Sequence, residues 1–341
     1  MVEKAKSGHP GGAMGGADFI NVLFSEFLVY DPNNPEWEGR DRFYLDPGHM
    51  SPMLYAVLAM QGKYTIDELK QFRQWGSITP GHPERDIKHG IENTSGPLGQ
   101  GHTYAVGAAI AEKFLEARLS HTMMQHKIYA YISDGGIQEE ISQGAGRIAG
   151  LLHLDNLIMF YDANEIQLST ECDVVMSEDT KMKYQAWGWN VLEINGNDLD
   201  EIRDALKKAN EEKTRPTLII GHTIMGKGAI KGDGTSYERN VNTHGAPLGH
   251  DSYVNTVKNL GGDIDNPFVI FDDVKELYEN RRKELLEIVG KRHQEENKWR
   301  EANHETAKLM DKWFSGKAPQ VDWSSVTQQR DVATRVASSV C

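Results

Sequence analysis

Two apolar runs dominate the middle of the chain, residues 127–133 and 156–162, and both predict strands. Between them, residues 138–150 predict a helix. The pattern then continues as a helix over 179–187, a short strand over 189–194, a helix over 198–210 and a strand over 216–221. Upstream, an apolar helix is expected from Asp18 to Val29, a short strand at Phe43–Leu45, a helix through Leu54–Met60 and an Ala-rich helix over 105–117. Alternating β and α elements predict an α/β fold: a doubly wound, mostly parallel sheet with helices on both faces.

The segments between these elements are unusual in composition. Residues 7–16 form a tight turn of small residues, and residues 76–103 form a long loop rich in Gly, Pro, His and Thr. A loop of that length inside a compact domain points to function or disorder, and the helix that follows directly favours function. Residues 226–249 return to Gly-, Asn- and His-rich loop. Residues 273–313 are a highly charged helix, 315–330 a polar linker, and 333–341 the opening of another helix.

Composition narrows the class. Of the 341 residues 39% are hydrophobic and 26% charged, as in a soluble globular protein. No apolar run reaches the roughly 20 residues that span a bilayer, and the start shows no apolar signal core. The two cysteines, Cys172 and Cys341, make no disulfide framework, which suits a cytoplasmic location. A net charge of −13 argues against nucleic-acid or anionic-membrane partners. Local phosphate binding stays open, through backbone amides and a metal.

Candidate chemistry gathers at the predicted strand ends. Asp134 ends one strand and Asn164 the next, 30 residues apart, which is one β-α-β unit. Both side chains should therefore emerge at the same carboxyl edge of a parallel sheet, where open α/β sheets bind ligands. A hard divalent cation wants such oxygens, and a bound diphosphate would complete its shell. The plainer alternative is that Asp134 caps the helix beginning near Gln138 and that Asn164 sits in an ordinary turn.

Four histidines, His9, His49, His82 and His244, fall in Gly/Pro-rich loops. Each alone could be a hydrogen-bonded loop residue. Together they suit a crevice for a phosphorylated, hydroxyl-rich substrate. None shows the paired spacing of a zinc site. The Ser95–Gly101 segment offers backbone to a flat ligand or serves as a helix-entry turn. Lys227 lacks the Walker spacing of a nucleotide loop, and Trp187 and Trp189 suit core packing.

Taken in order, these segments resemble the amino-terminal, diphosphate-binding part of transketolase. The family's S-G-H-P-G turn is Ser7–Gly11, its G-H-G-S-like turn Gly48–Ser51, and its P-G-H-P-E loop Pro80–Glu84. Its T-G-P-L-G-Q-G segment is Ser95–Gly101, and its G-D-G-x-x-x-E signature runs from Ser133 to Glu139. The Asp/Asn metal turn is Asp162–Ile166 and the H-G-A-P-L-G loop is His244–Gly249.

The resemblance implies thiamine diphosphate held by Mg²⁺, or by Ca²⁺ or Mn²⁺. It implies metal ligation by Asp134, Asn164 and the Ile166 carbonyl, and contacts from the Gly135 amide, His49 and His244 to the diphosphate. Gly96, Pro97 and Leu98 would line the cofactor rings. His9, His82 and His244 would meet the sugar phosphate and move protons, and Glu139 would hydrogen-bond across a homodimer interface. The implied reaction is two-carbon ketol transfer from a ketose phosphate to an aldose phosphate, as in the pentose phosphate pathway.

The same resemblance divides the chain into a diphosphate-binding domain (1–250), a helical extension and linker (251–330) and the start of a pyrimidine-binding domain (331–341). The glutamate that activates the aminopyrimidine belongs to that last domain, so these residues are expected to need a partner chain that supplies it. A cofactor-binding fragment without turnover and a related ketol transferase, such as dihydroxyacetone synthase, are the alternatives. Departures from the family pattern are Ser133, Met50, Glu140 and Glu165. Glu165 places a further negative charge beside the expected cation.

Overall fold

The computed structural model describes residues 1–341 apart from 121–125, 319, 326, 328–329 and 340–341. Five strands form one sheet: β1 (Arg42–Leu45), β2 (Ile128–Ser133), β3 (Leu157–Ala163), β4 (Asn190–Asn195) and β5 (Thr217–His222). The order is β1-β2-β3-β5-β4, and every pairing is parallel. The expected doubly wound parallel sheet is therefore what forms.

Its centre is buried because its sequence is largely apolar on both faces. Every residue of β2 and β3 is buried. Successive side chains of a strand point to opposite faces, and the core divides accordingly. Tyr129, Tyr131, Ile158 and Phe160 pack on one face with Phe19, Phe24, Ile202 and Leu206. Ile128, Ala130, Ile132, Leu157 and Met159 pack on the other with Ala105, Ala109, Ala145, Ala149 and Trp189. Trp189 donates its indole N–H to the Gly146 carbonyl at 2.8 Å, a buried bond that confirms it as core. Edge strand β4 is only half-buried, and its last four residues, Leu192 to Asn195, alternate apolar and polar.

Helix limits differ from expectation where a special residue intervenes. Pro10, with its φ preset for a first helical turn, starts helix Pro10–Gly15 inside what the composition suggests is a loop. A second helix, Ala17–Val22, then widens to a π-turn over Leu23–Phe27, so no single helix runs to Val29. The Ala-rich helix begins early, at Gln100, because Gly99 turns the chain through the left-handed region (φ 82°). The helix expected over 138–150 forms as Glu140–Leu151, and a separate short helix, Asp134–Gln138, precedes it across extended backbone at Glu139. Likewise 273–313 resolves into Asp272–Ala302 and His304–Phe314.

The chain divides into two compact units, Met1–Glu295 and Glu296–Cys341. Sheet and candidate site belong to the first. Among the described residues, no helix is long and apolar enough to cross a membrane.

Candidate functional site

The parallel register brings Ser133 beside Asp162, and Ala163 beside His222. The chain therefore leaves the sheet at one edge with Asp46, Asp134, Asn164 and Thr223 following their strands. Ser133, not Asp134, caps the helix after β2: its hydroxyl accepts from the Gly136 amide at 3.4 Å. That frees the Asp134 side chain for other work, and the capping alternative for Asp134 fails.

Asp134 is almost wholly buried and strongly hydrogen-bonded. Its Oδ1 accepts from the Tyr161 hydroxyl at 2.6 Å, and its Oδ2 accepts from the amides of Asn164 (3.2 Å) and Glu165 (3.0 Å). Burial pushes its carboxyl up to about 7, helped by the neighbouring Asp162 and opposed by those hydrogen bonds. Asp162 is itself buried, accepting from the hydroxyls of Tyr131 (2.7 Å) and Thr223. Two desolvated carboxyls side by side hold one of them protonated unless a cation joins them. The turn that follows is held by its own side chain, since Asn164 Oδ1 accepts from the Ile166 amide at 3.1 Å. Glu165 adopts a left-handed φ of 66° and stays exposed, so its charge lies in water.

The four histidines arrive from four segments. His9 precedes helix Pro10–Gly15, and His49 lies in the single turn Gly48–Met50 after β1. His82 rides on the 76–103 loop, which is tied down at several points. Ser51 Oγ donates to the Gly81 carbonyl (2.7 Å), Tyr55 donates to Pro80 (2.9 Å), and Ser95 and Asn93 both donate to the Leu45 carbonyl at the end of β1. His244 follows the turn Val241–Thr243. The Gly226 amide bonds the Gly11 carbonyl at 2.9 Å, joining the first and last of these loops. Glycine is required at position 11, because a Cβ there would lie 2.5 Å from Met225 Sδ and 2.7 Å from the Thr243 carbonyl.

His9 stands 5.0 Å from His49, 5.7 Å from His244 and 6.5 Å from His82, ring centre to ring centre. All four are held below the ordinary imidazole range, burial being the largest cause. His9 falls to about 4 and His49 to about 3, where the other rings and Arg73 add to the effect. They are neutral at physiological pH. The buried Nδ1 of His244 has no protein partner.

A cavity of about 360 Å³ unites the two groups. His9, His49, His82 and His244 line it with Asp134, Gly135, Asn164, Ile166, Gly96 and Leu98. Pro97 and Glu139 are exposed and do not line it. Glu139 instead opens the outer face of helix Glu140–Leu151. Gly12, Met50, Ser133, Gln167, Leu168 and Met225 complete the walls. Of these, only Met50 and Ser133 stand out in the sequence, both as departures from the family pattern. Lys227 pairs with Asp18 at 2.5 Å, consistent with a structural role.

The residues fit a metal-bound diphosphate. The donors around Asp134 are oxygens, the buried carboxyl needs positive charge, and the Nδ1 of His244 has a valence to fill. At Gly135 a Cβ would meet Leu98 at 2.9 Å, so a side chain there would crowd the cavity wall. No cluster of three His, Cys, Asp or Glu suited to a metal exists among the described residues. A cation here would rest on Asp134, amide and backbone oxygens, and the ligand itself.

Residues 1–319 match the family model described as transketolase, thiamine diphosphate binding domain. The chain belongs to the transketolase family. It is similar to transketolases of Staphylococcus epidermidis and Geobacillus stearothermophilus, each 40% identical over 93% of this chain and 48% of the relative. Among solved structures, transketolase from Leishmania mexicana superposes with a TM-score of 0.92 at 34% identity, covering 99% of this chain and 51% of that one. Transketolase from Campylobacter jejuni gives 0.84 at 37%, with the same coverage. The chain thus spans about half the length of the transketolases it matches.

Proposed function

We propose that this chain carries the diphosphate- and metal-binding half of a transketolase site. Within the complete enzyme it would serve transfer of a two-carbon ketol unit from a ketose phosphate to an aldose phosphate. One observation carries the reading: Asp134, Asn164 and Ile166 face four neutral histidines across a single cavity.

In this reading Asp134, Asn164 Oδ1 and the Ile166 carbonyl hold the divalent cation, for which magnesium, calcium or manganese has suitable chemistry. The Gly135 amide, His49 and His244 bind the diphosphate. Gly96 and Leu98 line the rings, with Pro97 stiffening their loop from outside the cavity. Thiamine diphosphate, when bound, supplies the carbanion-stabilising chemistry. His9, His82 and His244 bind the hydroxyl-rich sugar, and as neutral rings each offers one N–H to a sugar oxygen.

The diphosphate-binding region stays assigned to residues 1–250, the helical extension and linker to 251–330, and the opening of a pyrimidine-binding region to 331–341. None of the described lining residues is a glutamate, so the carboxylate that activates the aminopyrimidine would come from a partner subunit. A homodimer has support in an exposed apolar face. Tyr104, Ile110 and Phe114 on helix Gln100–Arg118 and Ile141, Ile148 and Leu151 on helix Glu140–Leu151 are all exposed, and Glu139 stands at the head of the second row. We place the protein in the cytoplasm, on its cysteine usage.

Calorimetry tests the reading. Thiamine diphosphate should bind the chain in the presence of magnesium and lose affinity on chelation. Supplied with xylulose 5-phosphate and ribose 5-phosphate, the isolated chain should show negligible turnover until a pyrimidine-binding partner is added. Magnesium-independent binding would overturn the metal assignment, and robust turnover alone would overturn the shared site.

A further inference from the structure

We infer that Arg73 is a positioning residue that fixes His9 as the neutral tautomer protonated on Nε2, so that His9 meets its ligand as a hydrogen-bond donor and not as a proton acceptor. The second half of this rests on the reading of His9 as a sugar-facing residue; the first half stands on geometry alone.

A guanidinium has N–H donors and no acceptor. Arg73 Nη2 lies 3.5 Å from His9 Nδ1, so that nitrogen must present its lone pair. The same guanidinium is anchored by Nη1, which donates to Ser7 Oγ at 2.9 Å, two residues before the ring it addresses. The backbone that carries the side chain is fixed as well. Arg73 holds a left-handed φ of 61°, a conformation that disfavours any side chain, and its amide bonds the Thr79 carbonyl at 3.0 Å. Gly81 leaves the room that the guanidinium fills, since a Cβ there would lie 2.6 Å from Arg73 Nε. Arg73 is therefore wedged between the Ser7–Gly11 turn and the Pro80–Glu84 loop, the segments that carry His9 and His82.

With Nδ1 occupied, the one N–H of a neutral His9 is on Nε2. That atom lies on the Gly245 side of the ring, 3.5 Å from where a Cβ of that residue would stand, and the ring lines the cavity. The groups that face His9 are His49, His82, His244 and Arg73. No carboxylate stands among them to stabilise an imidazolium, and a proton added to the ring would sit beside the guanidinium charge. Burial and these neighbours hold the ring down to about 4. Across neutral pH His9 can then polarise a carbonyl or hydroxyl oxygen through Nε2–H, but it has no free nitrogen with which to take up a proton.

Nitrogen-15 NMR of the 341-residue chain tests this without any requirement for activity, with His9 assigned by difference from His9→Gln. The expected result is an unprotonated Nδ1 and a protonated Nε2 from pH 6 to 8. In Arg73→Met the ring should become a mixture of tautomers and its titration midpoint should rise, and Arg73→Lys, which keeps a donor and a charge, should restore the Nε2–H form. A protonated Nδ1 in the unaltered chain overturns the inference, as does an Arg73→Met ring with unchanged tautomer and midpoint. If Arg73→Met does not fold, the tautomer of the unaltered chain decides alone. Failure to bind thiamine diphosphate would sink the functional reading and leave this measurement standing.

Discussion

The two ends of the same sheet both carry buried titratable groups and put them to different use. At the carboxyl edge, burial pushes Asp134 up to about 7. At the amino edge, His126 precedes β2 and meets Glu112 at 2.6 Å and Arg42 at 2.6 Å. There burial pushes Glu112 up to about 8 and, with Arg42, holds His126 down to about 3. Perturbed acids and bases therefore mark both ends. What separates them is access: Asp134 opens on a cavity walled by glycines and histidines, whereas no member of the Glu112 cluster lines that cavity. Displaced titration is a pointer to function only where there is room for a ligand beside it.

The comparison can be broken most sharply from the amino edge. His126→Ala leaves the buried Glu112 carboxyl without its ring partner and should cost about 1–3 kcal/mol of stability. Urea denaturation would measure it, and thiamine diphosphate affinity should stay as it was at a temperature where the variant is folded. A large loss of affinity would mean that the two ends are not separate. Asp134→Asn should do the opposite. It relieves a desolvated carboxylate, so the ligand-free chain should be no less stable, while magnesium-dependent affinity for thiamine diphosphate should fall by at least about 100-fold, the upper range for groups that merely orient ligands.

Titration sharpens the same contrast. Folding raises the Asp134 carboxyl from 3.8 to about 7. Its protonated form favours the fold, so that contribution is complete below about pH 4 and is lost as pH rises through about 7. Cofactor binding has the reverse sign, because the cation needs the carboxylate. Affinity should rise by about tenfold per pH unit up to pH 7 and then level off, with proton release seen by calorimetry in buffers of different ionisation heat. A flat profile would remove Asp134 from the metal. The smallest effect is expected at Glu165→Gln. That side chain is exposed, and its charge should alter affinity by no more than about twofold, a surface-scale interaction of a few tenths of a kcal/mol.

Much of this was legible in the chain. Strands β2 and β3 are near-continuous apolar runs, broken only near their carboxyl ends by Ser133 and Asp162, and such runs suit strands covered on both faces of a parallel sheet. Their spacing is enough to place Asp134 and Asn164 at one edge. Helix limits were less legible where one residue overrides a pattern, as Pro10 and Gly99 do, or where Glu139 turns extended within a helical stretch. Met225, Gln167 and Leu168 gave no signal at all, since a methionine in a loop and a wall residue beside a turn have no periodicity to betray them. Arg73 was equally silent, thirteen helix-and-turn residues after Met60 and far along the chain from His9.

The sequence alone determined the sheet, its parallel sense and the edge at which chemistry would collect, because strand burial and crossover length follow from local pattern. Only tertiary structure decided which of the chosen residues share a cavity. It set four histidines in one crevice, left Pro97 and Glu139 outside it, and gave the helix cap to Ser133. The physical reason is that loop approach depends on bonds made between distant segments, such as Gly226 to Gly11 and Ser95 to Leu45, and no local pattern encodes those.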